Sequence, residues 1–372
     1  MASPPSSHAL PHHIWRWSLI GLSILVPMAL FAYVAGWLTP SRLTPTRFVD
    51  QFQKDGGLHP GFRRNHAKGS CVNGYFQSNG SAARYSTAAV FAAGVHTPVV
   101  GRFAIPGPNP YVSDASVPVR SMALRFMLAN GQQWRTAMNN SPVFVVATPR
   151  AFFERLQAHQ PDPATGKPDP AKIATFRAAH PDSKPFFAWA KATVPSSSWA
   201  TQTYRSLDAF YFVDAQGHRH PVRWRMQSET VAPAPKTAPH DANVLAEDLG
   251  ERLARGPLRW RLIVTLGLPG DPTNDATRAW PADRPEIDAG TLVLSRTEPQ
   301  ASGPCRDINY DPTVLPDGIE ISADPLLPAR SAVYAGSYLK RTSEEAHVPG
   351  FPTPRAPATL QPMHDTKQEQ NR

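Results

Sequence analysis

A run of 21 residues without a charge, Ser18 to Leu38 (SLIGLSILVPMALFAYVAGWL), leaves its stretch of chain few structural solutions. In a bilayer the backbone polar groups must be satisfied within the segment, which selects a helix. At 1.5 Å per residue that helix is roughly 31 Å long, enough to cross the hydrocarbon core. Trp15, Trp17 and Trp37 stand at its two ends, where indoles favour the interface. Pro27 lies mid-span, which membrane helices tolerate better than soluble ones. A cleaved signal peptide is the rival reading. The run is longer than the usual h-region of about 7–15 residues, and no clean A-x-A site precedes Trp37. The expectation is an uncleaved signal anchor over residues 14–38, after an N-terminal tail of residues 1–13. Arg16 precedes the span and Arg42 and Arg47 follow it, so the positive-inside count decides little. The short N-terminal tail argues for its own end inside and the bulk of the chain outside.

Beyond the anchor, proline sets the terms. Forty-one prolines in 372 residues, roughly 11% and about twice average usage, argue against a helical bundle and for short elements joined by loops. Residues 39–55, with Pro40 and Pro45, read as a stalk, residues 56–346 as one large domain, and residues 347–372 as a disordered tail. Val99–Ile105, Met122–Leu128, Pro142–Ala147, Leu258–Leu266 and Gly290–Ser295 read as strands, and Phe210–Met226 as a hairpin around Gly217. Pro149–Gln157, capped by Thr148, and Asp241–Arg255, with a Leu245, Leu249, Leu253 stripe ending at Gly256-Pro257, read as helices. The pattern implies an α+β fold, a closed barrel or sandwich decorated by helices. Two cysteines rule out a disulfide-dense scaffold and a four-thiolate metal site. Lys+Arg exceed Asp+Glu by 38 − 29 = 9, which suits anionic ligands. No recognisable nucleic-acid motif or long basic cluster accompanies that charge.

Three segments carry chemistry: Arg63-Arg64-Asn65-His66-Ala67-Lys68-Gly69, Ala137-Met138-Asn139-Asn140-Ser141-Pro142-Val143-Phe144, and Arg330 to Arg341 with Tyr334 between. Each alone has a bland reading: a polar-loop histidine, turn asparagines, a core aromatic. Their order is what counts. HAKG, then NNSPVF, then YDPTVLPDGIE (Tyr310–Glu320), then R-x-x-x-Y with an arginine seven residues later, resembles the haem catalase family over most of residues 56–345. The likeness is greatest to its short branch of membrane-anchored catalase-related peroxidases.

The resemblance implies a catalase-like closed antiparallel β-barrel with added helices, preceded by one transmembrane helix. It implies haem b (iron protoporphyrin IX) as cofactor, with Tyr334 as the axial ligand of iron, in keeping with the tyrosine ligation of catalases. Arg330, one helical turn earlier, would set a cation beside the phenolate. Asp324 matches the acidic residue that holds this arginine, and Asp208 stands where the family usually places a histidine. Arg63, Arg102 and Arg341 match the positions that bind the propionates, a task suited to bidentate guanidinium. Phe144 and Phe152 match positions that pack on the porphyrin. His66 would take a proton from hydrogen peroxide and return it to the departing oxygen, and Asn139 would orient the peroxide.

Departures from the catalase pattern sharpen the expectation. Asn65 replaces a valine, Ala104 the serine that commonly bonds the distal imidazole, and Pro118 an acidic channel residue. With no tetramer-building arm or wrapping segment, the route to the haem would be shorter and more polar. The reading is a haem peroxidase that reduces hydrogen peroxide, with organic peroxides as further candidate substrates, using small organic donors, and has weak catalase activity, held by a single pass in a bacterial inner membrane with its haem domain in the periplasm. A true catalase and a non-enzymatic, membrane-tethered haem-binding protein are the alternatives; monomer or homodimer stays open. So does the state of Cys71 and Cys305. A bridge is compatible with neighbouring first and last barrel strands and with an oxidising periplasm, and two buried thiols are the other reading.

Overall fold

The computed structural model describes residues 12–35, 37–38, 42–231 and 243–347. The expected terminal tails, apart from residues 12–13 and 347, lie outside the described residues. The chain divides at Arg47/Phe48 into two compact units. The first carries helix α1 (His12–Val34), with Pro27 inside it. Its stretch Trp15–Val34 is long and apolar enough to cross a membrane, and none of it is buried; Leu22, Leu25, Leu30 and Phe31 are all exposed.

The second unit begins within helix α2 (Pro45–Gly56). Much of the stretch expected as a stalk is therefore helical. Pro45 opens the helix, where a missing N–H costs nothing, and Phe48, Val49 and Phe52 bury one face. Strands β1 (Gly69–Ser78), β2 (His96–Ala104), β3 (Ser121–Met127) and β4 (Gln133–Asn139) form an antiparallel meander. Helices α3 (Pro149–Ala158), α4 (Pro170–Ala179) and α5 (Lys184–Ala192) follow. Then come β5 (Tyr204–Arg205), β6 (Phe210–Val213), β7 (Arg219–Ser228), helix α6 (Val244–Arg255), β8 (Leu258–Leu266), β9 (Glu286–Pro299), β10 (Ile319–Ile321) and helix α7 (Leu326–His347).

The order β7-β5-β4-β3-β2-β1-β9-β8 closes through a β7–β8 pairing into an eight-strand antiparallel barrel, with β6 and β10 extending from β7. Alternation decides what fills it. Met122, Leu124 and Phe126 on β3, and Trp134, Thr136 and Met138 on β4, are buried at every second position. Phe126 stacks on Trp134 at 4.6 Å, and the edge of Trp224 meets Trp134 at 5.2 Å. The Trp224 Nε1–H donates to Thr136 Oγ1 at 3.1 Å, so the indole is buried without an unpaired donor. The α6 stripe of Leu245, Leu249 and Leu253 joins this core.

One expected strand is absent. Pro142–Ala147 forms no ladder: Phe144 N donates to Ala276 O at 2.8 Å and Ala147 N to Asp182 Oδ2 at 3.2 Å. Val145 and Val146 are instead buried with Ala151 and Ala158 of α3 and Phe176 of α4; an apolar run without alternation does not by itself specify a strand.

Cys71 and Cys305 form a disulfide across 234 residues of sequence, tying β1 to the turns after β9. Cross-links that close long loops restrict the unfolded chain most. Replacing both cysteines with alanine should cost about 2–5 kcal/mol and lower Tm by roughly 5–10 °C. Thermal unfolding of the full chain checks this; an unchanged midpoint would mean the bridge constrains nothing.

Candidate functional site

The outer face of β2, β3 and β4 prepares a floor. Arg102 pairs across the sheet with Ala123, and Ala123 with Ala137. The two alanines keep that strip flat beside the arginine. Gly69 is equally constrained, since a Cβ there would lie 2.1 Å from Phe103 O and 2.8 Å from the Arg102 guanidinium. Over this floor a cavity of about 660 Å³ is lined by His66, Asn139, Tyr334, Arg63, Arg102, Arg330, Arg341, Phe144 and Phe152. The four separate sequence segments thus converge on one chamber.

His66 sits just before β1 with φ +53°, the left-handed region that costs a non-glycine residue about 1–3 kcal/mol and recurs at functional sites. Asn65 holds it there. Its Oδ1 accepts from His66 N and from Gly107 N, both at 2.9 Å. The residue that distinguishes this chain from the valine of catalases therefore also braces the histidine loop. Lys68 of the same motif is structural. Its Nζ lies 2.8 Å from Asp114 Oδ1, and the other Asp114 oxygen accepts from Leu245 N at the start of α6.

The His66 imidazole is held neutral, with its pKa pushed down to about 3 by burial first and then by Arg102, Arg330 and Arg63. Its Nδ1 is buried without a hydrogen-bond partner, as expected where Ala104 replaces a serine. Asn139 Oδ1 accepts from Ser121 Oγ at 2.6 Å, which fixes the amide and leaves its Nδ2 available to a ligand.

Helix α7 supplies Tyr334, Arg330 and Arg341. Arg330 Nη2 donates to Tyr334 OH and to Ala137 O, both at 3.4 Å. The ion pair that holds Arg330 is to Asp208, and together with Tyr334 it raises the affinity of this buried guanidinium for its proton. Asp324, expected in that role, forms no ion pair with Arg330 among the described residues: its Oδ1 accepts from Leu326 N at 2.9 Å at the head of α7, and its charge adds to the field that holds the guanidinium proton. Burial, then the charge of nearby Asp208, pushes Asp324 up to about 7.

The remaining arginines crowd together. Arg63 donates to Cys305 O, Arg306 O and Ile308 O. Arg102 donates to His66 O at 2.7 Å and to Gln300 Oε1 at 2.5 Å. Arg341 donates to Arg306 O at 2.6 Å, and its Nε is buried without a partner. Burial and the other two cations push Arg63 well below the usual guanidinium range, and burial brings Arg102 to about 10. Gln300, the anchor of Arg102, was not foreseen; a lone glutamine after a strand carries no motif.

A family model, catalase, matches residues 46–371. The chain belongs to the catalase family. It is 39% identical over 333 residues to a catalase-related peroxidase of Synechococcus elongatus, covering 88% of this chain and 97% of that one. A second catalase-related peroxidase, from Mycolicibacterium paratuberculosis, is 31% identical over 306 residues, with 81% and 95% covered. These matches place the chain in the catalase-related peroxidase branch of the family. The catalase of Rattus norvegicus is 27% identical over 74% of this chain, which spans 55% of the length of that relative. Solved structures repeat the fold: a bacterial catalase aligns with TM-score 0.68 at 23% identity, covering 76% of this chain and 58% of that one. Catalase A of Saccharomyces cerevisiae gives 0.68 at 20%, covering 77% and 63%.

Proteins of this family bind haem, and the residues present fit it. Arg63, Arg102 and Arg341 press on one another, and among the described residues Arg341 is the one of the three that forms an ion pair, with Asp307 at 3.6 Å. That surplus of buried charge suits a dianionic group such as paired propionates. Phe144 and Phe152, stacked at 5.7 Å, give the chamber an aromatic wall for a flat macrocycle.

Proposed function

We propose that this enzyme is a haem peroxidase that reduces hydrogen peroxide with electrons from small organic donors and dismutates peroxide only weakly. The observation that carries the reading is the shared chamber. A neutral His66 and a fixed Asn139 amide line the same space as Tyr334, as Arg330, which Asp208 clamps, and as Arg63, Arg102 and Arg341. The proposed cofactor is haem b, held by Tyr334 at iron and by Arg63, Arg102 and Arg341 at the propionates. When bound, it supplies the redox-active iron at which peroxide is reduced.

The chain's own groups then divide the work. Asn139 Nδ2 donates to the peroxide and orients it. Neutral His66 accepts a proton from one peroxide oxygen and returns it to the other, so that the departing oxygen leaves as water. Two electrons and two further protons complete the conversion of one peroxide to two waters. Arg330, clamped by Asp208, keeps a positive charge beside the Tyr334 oxygen.

Peroxidase is preferred to catalase because Ala104, Asn65 and Pro118 replace residues of the catalase pattern, and because the relatives that match along nearly their whole length are named peroxidases. A passive haem-binding protein has no use for a neutral base beside a fixed amide. Helix α1 is proposed as a membrane anchor, which would put the haem domain in the periplasm, as monomer or homodimer. The test uses the full-length, haem-loaded protein and compares oxygen evolution from peroxide with oxidation of a small phenolic dye. Dye oxidation is expected to dominate; catalase-like oxygen evolution without dye oxidation would make the chain a true catalase.

A further inference from the structure

We infer that a lobe of the chamber between α3 and α5 is a binding site for a small organic carboxylate with an apolar body, held by Arg155. The lobe is continuous with the space around His66 and Tyr334, and its walls include Leu156, Phe186, Phe187 and Ala190. Arg155 lines it too. Its Nε is sealed from solvent without a hydrogen-bond partner, and among the described residues its side chain forms no ion pair. A cation kept half-buried and unpaired costs free energy unless something answers it.

The nearby acids are committed elsewhere. Glu154, one residue earlier on α3, pairs with His180 at 2.9 Å. Asp182 accepts from Ala147 N, and Asp55 from Gln51 Nε2 at 2.7 Å. Nor does Arg155 belong to the propionate cluster. Arg63 feels Arg102 and Arg341, whereas Arg155 is lowered, to about 10, by burial alone. The other basic groups do not compete for a ligand. Arg177 lies over the Phe187 ring at 4.4 Å. His159 is pushed down by burial and then by Arg155 and Arg177. One guanidinium among phenylalanines recognises a single carboxylate on an apolar frame better than a phosphate or a neutral compound.

Such an acid reaches the chamber as an electron donor or as an organic hydroperoxide. That role rests on the peroxidase reading; the binding itself does not.

The test titrates the full-length, haem-loaded protein with 3-phenylpropanoate and with its neutral analogue 3-phenylpropan-1-ol, by calorimetry, with haem content measured separately. The acid is expected to bind about ten- to a hundredfold more tightly, the range for hydrogen bonds to a charged partner. Arg155→Gln should abolish that preference and Arg155→Lys keep part of it, both with haem content unchanged. If the acid enters as donor, Arg155→Gln raises KM for 3-(4-hydroxyphenyl)propanoate and not for 4-ethylphenol. If it enters as peroxide, KM rises for a carboxylate-bearing hydroperoxide and not for tert-butyl hydroperoxide. Equal affinities of acid and alcohol in the unaltered protein overturn the proposal, and so does loss of haem in Arg155→Gln, which would make Arg155 a cofactor residue. An acid preference in a protein that oxidises no donor would sink the peroxidase reading alone.

Discussion

Tyr334→Phe should leave the full-length chain folded and remove most of its peroxide turnover, together with the tyrosinate signature of its ferric haem. The fold should survive because the lost hydroxyl accepts one hydrogen bond, from Arg330 at 3.4 Å. Arg330 keeps Asp208 and Ala137 O as partners. Turnover should fall by more than the ~10–100-fold that typically follows loss of a group merely supporting a metal ligand. The comparison that gives this meaning is Asp208→Asn. It takes the counter-charge from Arg330 without touching the proposed ligand, and should cost no more than that ~10–100-fold. If the two substitutions have equal effect, or if the spectrum of Tyr334→Phe is unchanged, the axial ligand lies elsewhere.

Much of this site could be read in the sequence because its residues belong to short local motifs. HAKG, NNSPVF and R-x-x-x-Y each keep their chemistry within a turn or a strand, and all converge on the chamber. The barrel could be read in part, because buried positions alternate along most of β3 and β7; β4 alternates as well but is not among the strands read from the sequence. What escaped depended on contacts distant in sequence. Helix α2 looked like a stalk because two prolines drew attention, while Phe48, Val49 and Phe52 show a buried face only against the folded domain. The Cys71–Cys305 bridge stayed open because two cysteines allow a pairing without requiring it. Asp324 and Asp208 exchanged importance because both fit an arginine by charge, and only the fold sets Asp208 against Arg330 while Asp324 bonds the head of α7. Arg155 had no motif at all. Its interest lies in a buried Nε that has no hydrogen-bond partner among the described residues, which only a three-dimensional arrangement reveals.

His66→Asn offers the second large effect, and the choice of asparagine matters. At φ +53° an alanine would add backbone strain, whereas asparagine tolerates the left-handed region. The variant should therefore fold and keep haem while losing the base, lowering kcat/KM about 10²–10⁴-fold. Its pH behaviour tests the same residue independently. In the native protein His66 is neutral down to about 3, against an unfolded value near 6.5. A base that is already neutral gains nothing from higher pH, so kcat/KM of the native enzyme should hold steady as pH falls through 6.5. Stability should not hold. Below ~6.5 the unfolded chain binds a proton that the native imidazole refuses, so this histidine withdraws up to ~1.4 kcal/mol per pH unit between ~6.5 and ~3. His66→Asn removes that penalty, and its Tm should fall less steeply than the native protein's between pH 6.5 and 4. An acid limb centred near 6.5 in native kcat/KM, with parallel Tm profiles for the two proteins, would mean that water reaches His66 and that its neutrality owes nothing to the buried arginines around it.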